Sequence, residues 1–404
     1  MSTRFARIAP ALFAGLLAFG LAQQAAADIY QWEWIDPADP SKGIRQSSTL
    51  CPGGKGVLAK PGTSLDHYDL TQAYLLQADL SWAHIYFVNL TNASLAGANL
   101  SWANIDDANL TDASLPGANL SRASFRSTNL TNASLAGANL TRAIFYSATL
   151  SNADFTDAQI AEAEFRFFAW NGFTPAQFYS TASYKARDLH DIRLSYNDLT
   201  AWNLANQNLT GARFWEATLT NASLPGASLA GTSFWKATLT NADFTDAQVA
   251  QAGFEDTTSR GFTSAQLYST ASYKARDLHN IQLPYNDLTA WNFANQNLTG
   301  ASFQEATLTN ADFTDAIVRS ARFSSRQGTA GIASAQLYST ASYKARDLHG
   351  ICLQSNDLTA WNFANQNLTS ASFWEATLTD ADFTSDYSRD TAVDCHRSWS
   401  MVQG

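Results

Sequence analysis

Charge is scarce in this chain: 15% of residues are Asp, Glu, Lys or Arg, and the formal balance is −10. Lys and Arg form no basic stripe, which argues against a nucleic-acid binder working through phosphate contacts. Cysteine is scarcer still. Cys51, Cys352 and Cys395 are too few and too scattered for a disulfide framework, and no CxxC pair suggests a metal site. No Gly-rich phosphate loop, metal-spaced cluster or nucleophile elbow is present, and no carboxylate set confined to one place points to glycoside hydrolysis. On this reading there are no catalytic, cofactor-binding or metal-binding residues, and no cofactor is expected. Beyond the N-terminal stretch no segment could span a bilayer.

What the chain does have is small residues, with Ala, Ser, Thr and Asn in place of long charged side chains. At its start Arg4 and Arg7 precede the apolar run IAPALFAGLLAFGLA, and Ala25, Ala26 and Ala27 supply a small-residue cleavage site. The run is shorter than the roughly 20 residues of a spanning helix. Residues 1–27 are therefore expected to be a signal peptide removed before Asp28, which implies a secreted or periplasmic protein with no membrane span after cleavage.

The dominant signal is a period of five. "LTNASLAGANLTRAIFYSATLSNADF", residues 130–155, places a large apolar residue at every fifth position and nearly always an Ala two places earlier. Neither the helical period of 3.6 nor the strand period of 2 gives that step. The frame runs unbroken from Leu70 to Phe165 and returns from Leu189 to Phe254, from Leu278 to Phe323 and from Leu348 to Phe383. Bulky residues also recur at intervals of 20, with Phe125, Phe145 and Phe165 in one series and Phe214, Phe234 and Phe254 in another. Phe155 and Phe244 fall half an interval away. A coil of four five-residue faces follows, and a rod of roughly 60 Å at one strand spacing per coil. Pro116, Pro225 and Pro284 each follow a central Leu, where an outward corner spares the missing amide.

The pattern resembles the pentapeptide-repeat family, whose A-[DN]-L-x-x motif stands here as "ANLSW", "ANLSR" and "ADFTD". The resemblance implies an all-β solenoid, a right-handed quadrilateral β-helix with the central residue and the small residue two before it pointing inward. Known members include cytoplasmic gyrase-protecting proteins that mimic DNA by shape and acidity, so an acidic topoisomerase-binding role is one alternative. A β-helical carbohydrate-binding or carbohydrate-active protein is another.

Three related segments, from Phe173, Phe262 and Ile332, interrupt the fives. Thr174-Pro-Ala-Gln177 and Thr263-Ser-Ala-Gln266 read as helix starts with capping boxes, whereas Ala333 weakens the third. One short helix of about three turns is expected in each, ending near Lys185, Lys274 and Lys344. The stretch that follows, from Leu189 to Leu199, looks like the leucine-rich-repeat consensus LxxLxLxxNxL, but copies this far apart cannot build that solenoid. In these coils Ile192, Asn197, Trp202 and Gln207 occupy the small inward slot, so the cross-section must widen or turn. The organisation expected is a signal peptide at 1–27, an N-terminal cap at 28–64 and a β-helix at 65–172. Insertion-plus-β-helix units follow at 173–261, 262–331 and 332–384, with an irregular tail at 385–404.

Two features invite a functional reading. His190, His279 and His349 each sit two residues after an Asp, but threefold repetition within a structural element favours a local hydrogen bond over catalysis. Outward positions at 20-residue intervals carry Trp82, Trp102, Arg122, Arg142 and Glu162, and a second series has Trp215 over Trp235. Trp82, Trp102, Arg122, Arg142, Trp215 and Trp235 are the candidate strip for a protein or glycan of the cell envelope, and cation–π support of the rods is the competing role. The function expected is an exported, non-enzymatic scaffold.

Overall fold

The computed structural model describes residues 28–167, 172–325 and 331–384. The expected signal peptide and tail lie outside the described residues, and so does Cys395. Each five-residue unit is one turn. The carbonyl of Leu70 accepts from the amide of Ala73 at 3.0 Å, and Gln72 between them has φ of 62°. A hydrogen bond spanning four residues with positive φ at the third is the signature of a type II turn. The frame repeats it at Gln77, Trp82 and Asn92.

This turn fixes the inside and the outside. The central residues from Leu65 to Phe165 are buried, as are Ala73, Ala83, Ala93 and Ala98 in the slot two before. Fully burying one such Leu contributes on the order of 2 kcal/mol. Parallel bridges join residues 20 apart, as in Ser64 to His84, Asp69 to Asn89, Tyr74 to Ser94 and Asp79 to Asn99, so a coil has four faces. We name them from the first coil: the first face passes through Leu65, the second through Leu70, the third through Leu75 and the fourth through Leu80. On the first face the rings of Phe125, Phe145 and Phe165 stack at 4.9 and 4.8 Å, and Phe155 meets Phe145 edge-on from the opposite wall. Two short strands are regular enough to stand out there, β3 (Ile144–Tyr146) and β4 (Glu164–Arg166), paired in parallel.

The segment preceding the coils forms an antiparallel hairpin of β1 (Asp28–Trp34) and β2 (Ile44–Lys55). It is bonded to the first coil through Gln31 and Ala73, and the Gly53 amide donates to the Asp69 carbonyl at 2.7 Å.

Each insertion contains two short helices rather than one: α1 (Pro175–Ser180) and α2 (Ala182–Lys185), α3 (Ser264–Ser269) and α4 (Ala271–Lys274), and α5 (Ser334–Ser339) and α6 (Ala341–Lys344). The reason is a threonine. Thr181 adopts extended backbone and its hydroxyl accepts from the Tyr184 amide, capping a new helix where a single one would have continued. Both capping boxes expected at Thr174 and Thr263 are present. At Ala333 only the Gln336 half remains, accepting from the Ala333 amide at 2.7 Å.

The large residues in the small slot have distinct tasks. Asn197 donates to the carbonyls of Phe165 and Leu194, and Trp202 packs on Phe178 inside the widened section. Coils carrying an insertion are longer, with bridges from Glu164 to Arg193, Gly253 to Gln282 and Arg322 to Cys352. These bridges keep the first face continuous from Ser64 to Ser372. Among the described residues, the bridges of the other three faces stop at each insertion and resume beyond it.

Where the strand is missing, two tyrosines substitute for it. The Tyr179 hydroxyl accepts from the Asn203 amide at 2.6 Å, and the Tyr184 hydroxyl donates to the Asn203 carbonyl at 3.0 Å. Tyr268 and Tyr273 do the same for Asn292, and Tyr338 and Tyr343 for Asn362.

Candidate functional site

The corner between the fourth and first faces carries the residues singled out by spacing. Trp82 and Trp102 occupy the positive-φ slot of their turns, at 60° and 61°, a conformation that favours Gly, Asn and Asp. Their rings stack at 4.7 Å and 7°, and the Arg122 guanidinium lies 4.3 Å from the Trp102 ring. The rings are thus piled face to face along the rod instead of lying flat on its wall. A ligand cannot lie along both, because Trp102 is covered by Trp82 on one side and by Arg122 on the other. The outer face of Trp82 looks towards Gly62, whose missing side chain leaves open space, and Trp82 is 57% exposed against 43% for Trp102. Arg142 continues the column but is ion-paired to Glu162.

Trp215 and Trp235 lie elsewhere, on the corner between the first and second faces. They meet edge to face at 6.4 Å and 80°, not stacked. Each is half-buried under a cation, Arg213 at 4.9 Å from Trp215 and Lys236 at 4.5 Å from Trp235. The six strip residues therefore form two separate groups.

The Asp-His units behave as local locks. His190 Nδ1 is 2.8 Å from Asp188, and His279 Nδ1 is 2.8 Å from Asp277. The Asp188 carboxylate raises the His190 pKa, and Glu162 adds to the effect. In the third copy Asp347 pairs with Arg319 at 3.5 Å instead. Each Asp also accepts from an Asn one coil on, Asn208, Asn297 or Asn367.

A concentration of charge on the first face was not singled out by spacing. Arg142, Glu162, Glu164, Asp191, Arg193 and Arg213 line a cavity of about 370 Å³ with Ile144 and Gly211. Glu164 holds Arg166 at 2.7 Å and Arg193 at 3.1 Å. Burial, and then the like charges of Arg193 and Arg166, lower the pKa of Arg213. The signal available was a contrast between copies: the slots of Asp191, Arg193 and Arg213 are filled by Asn280, Gln282 and Ser302 in the second and by Gly350, Cys352 and Ser372 in the third. A hollow of about 610 Å³ at the second insertion is lined by Phe262, Tyr285, Trp291, hydroxyl side chains and two acids, Asp287 and Glu305. Among the described residues no group of three His, Cys, Asp or Glu could hold a metal ion, and no helix is long and apolar enough to cross a membrane.

Several solved structures are similar to this chain. HetL, a pentapeptide repeat protein involved in heterocyst differentiation regulation from the cyanobacterium Nostoc, is 24% identical over 65% of this chain and 89% of its own, with a TM-score of 0.28. A pentapeptide repeat protein of the Arabidopsis thaliana thylakoid lumen is 33% identical over 24% of this chain and 68% of its own, with a TM-score of 0.24. QnrB1, a plasmid-mediated fluoroquinolone resistance protein, is 16% identical over 55% of this chain and 92% of its own, with a TM-score of 0.23. No curated protein matches. The family profile described as pentapeptide repeats (8 copies) matches in overlapping windows across 63–160, 188–256, 287–324 and 347–384, together more than half of the chain. The chain belongs to the pentapeptide-repeat family, and that membership implies a right-handed quadrilateral β-helix.

Proposed function

We propose that this chain is an exported, non-enzymatic pentapeptide-repeat protein whose rod presents an interaction surface to a protein or glycan of the cell envelope. One observation carries the reading: outside the coils that carry an insertion, variation is concentrated in outward slots. In the regular coils inward positions hold mainly Leu, Ile, Phe, Val and Ala, while one corner slot runs through Trp82, Trp102, Arg122, Arg142, Glu162 and Asp191. A wall that keeps its core constant and changes its surface is suited to recognition. On the corner strip, the open face of Trp82 is the natural seat for a flat apolar ligand surface.

Two measurements test this. Cell fractionation with N-terminal sequencing should find a mature chain beginning at Asp28 outside the cytoplasm, and recovery of the full-length chain inside would reject export. A screen against cell-wall glycans and envelope proteins should find a ligand that Trp82→Ala abolishes while the thermal midpoint barely moves. A lowered midpoint with no ligand found would leave the rod as scaffold alone.

The topoisomerase-binding alternative draws on the net charge of −10. Against it stands the cluster of Arg142, Arg166, Arg193 and Arg213 on the continuous first face, which breaks the acidity a duplex mimic needs. Full-length chain in the cytoplasm would revive it.

A further inference from the structure

The first face at the first insertion differs from every other stretch of the rod. Its outward slots elsewhere hold mainly neutral residues, such as Ser64, His84, Asn104 and Ser124 before it and Ser233, Gly253, Gln282 and Ser302 after it. At the insertion six charged side chains enclose the 370 Å³ cavity, a volume within the range of small-molecule sites. Four of them are already balanced: Arg142 with Glu162, and Glu164 with Arg193. The remaining two, Asp191 and Arg213, have no ion pair among the described residues.

These two are opposite in sign and held from different coils. Asp191 is third in its turn, at φ 53°, and its carboxylate reaches across Gly211; a Cβ there would lie 2.2 Å from Oδ1, so only glycine admits this placement. Arg213 belongs to the following coil and rests its guanidinium on Trp215. The ring restricts the side chain and leaves the fork of N–H groups free to donate.

The fold does not require this arrangement. The second copy builds the same coil with Asn280, Gln282 and Ser302, and the third with Gly350, Cys352 and Ser372. Asn280 even leans over Gly300 as Asp191 does over Gly211. The backbone geometry is thus common to two copies, and the charges belong to the first alone. Three copies of one element within one chain serve as an internal control: what is shared supports the coil, and what is confined to one copy needs a different explanation.

We propose that the cavity lined by Asp191, Arg213, Glu162 and Ile144 binds a small zwitterion, a free amino acid or the equivalent backbone ends of a very short peptide. The ligand carboxylate accepts two hydrogen bonds from the Arg213 guanidinium. Its ammonium donates to Asp191 and to Glu162, and an apolar side chain lies against Ile144. A simple anion leaves Asp191 unanswered, and a simple amine leaves Arg213 so. The site therefore selects small molecules that carry both charges.

Calorimetric titration of the full chain with L-leucine tests this, with 4-methylpentanoate and 3-methylbutylamine as the carboxylate-only and amine-only analogues. Saturable binding of L-leucine is expected, with each analogue weaker by roughly tenfold or more, because each loses the charge-assisted hydrogen bonds of one charged end. Arg213→Gln and Asp191→Asn should each weaken L-leucine by a similar factor, with circular dichroism unchanged. Equal binding of 4-methylpentanoate would make this an anion site and overturn the proposal. So would the absence of saturable heat with L-leucine, or affinity unaltered in both variants. The analogue comparison needs only the unmodified chain, so it decides the matter even if a variant misfolds.

Discussion

Glu255 provides the sharpest test of the packing. It follows the central Phe254 on the corner of the first face, in the slot held by Trp235 one coil earlier and Pro284 one coil later. Gly253 offers no side chain, and the Glu255 carboxyl folds into that space, with both oxygens within 2.8 Å of where a Cβ would be. Oε2 is sealed from solvent without a hydrogen bond. Burial pushes the carboxyl up to about 7 from the ordinary 4.5. The folded chain therefore holds this proton more tightly than the unfolded one. The contribution of this one group to stability is greatest below about pH 4.5, falls as pH rises from there to about 7, and stays low above that. At 1.36 kcal/mol per unit, a shift from 4.5 to about 7 bounds the loss at about 3 kcal/mol. The Glu255→Gln variant removes the ionisation and keeps the shape. Amide exchange should be followed from pH 4.5 to 8.5 in the coils between Phe234 and Leu283, since a solenoid opens locally. Wild type should lose protection there as pH rises, and the variant should not. His190 has a raised pKa and loses stabilisation in the same direction as pH rises, so the difference between the two proteins is the quantity to read. Parallel pH profiles would refute the buried-carboxyl argument.

Phe145→Ala removes a ring stacked on both sides, and should cost about 3 to 5 kcal/mol; amide exchange should rise in adjacent coils before distant ones, and uniform exchange along the chain would contradict nearest-neighbour coupling. Tyr179→Phe with Tyr184→Phe strips both hydroxyls from Asn203 and should destabilise the first insertion by about 1 kcal/mol for each bond lost, with faster exchange of the Asn203 amide as the check. Thr263→Ala converts the second helix start into the form already found at Ala333, so helix α3 should weaken by about 1 kcal/mol at most. An urea midpoint shift several times larger would mean that Thr263 does more than cap.

The fives were legible because they follow from a single constraint: each turn must return the chain by one wall width, and only large-then-small inward residues let opposite walls meet. The intervals of 20 in Phe125, Phe145 and Phe165 likewise pointed to four faces. Ring planes were not legible. A spacing of 20 brings Trp82 over Trp102, but whether they lie flat or pile face to face is set by χ angles at a left-handed residue. The helix break was missed because Thr181 reads equally well as a helix interior or as a second cap. The tyrosine pair was invisible because Tyr179 and Tyr184 bond backbone groups of a residue in another coil. The charged cavity escaped for a related reason, since its members come from several successive coils and become neighbours only once the coil length at the insertion is known.

The unbroken first face has a mechanical consequence. A column whose strand ladder is unbroken along one wall, and is handed over to helices and tyrosine hydroxyls three times on the others, bends most easily with its neutral line along the unbroken wall. The three interruptions share the same faces, so small bends at them add in one plane instead of cancelling. Distances along the first face hardly change during such bending, while the walls opposite stretch and close. Whatever is seated between Asp191 and Arg213 would keep its spacing while the rest of the rod yields to load.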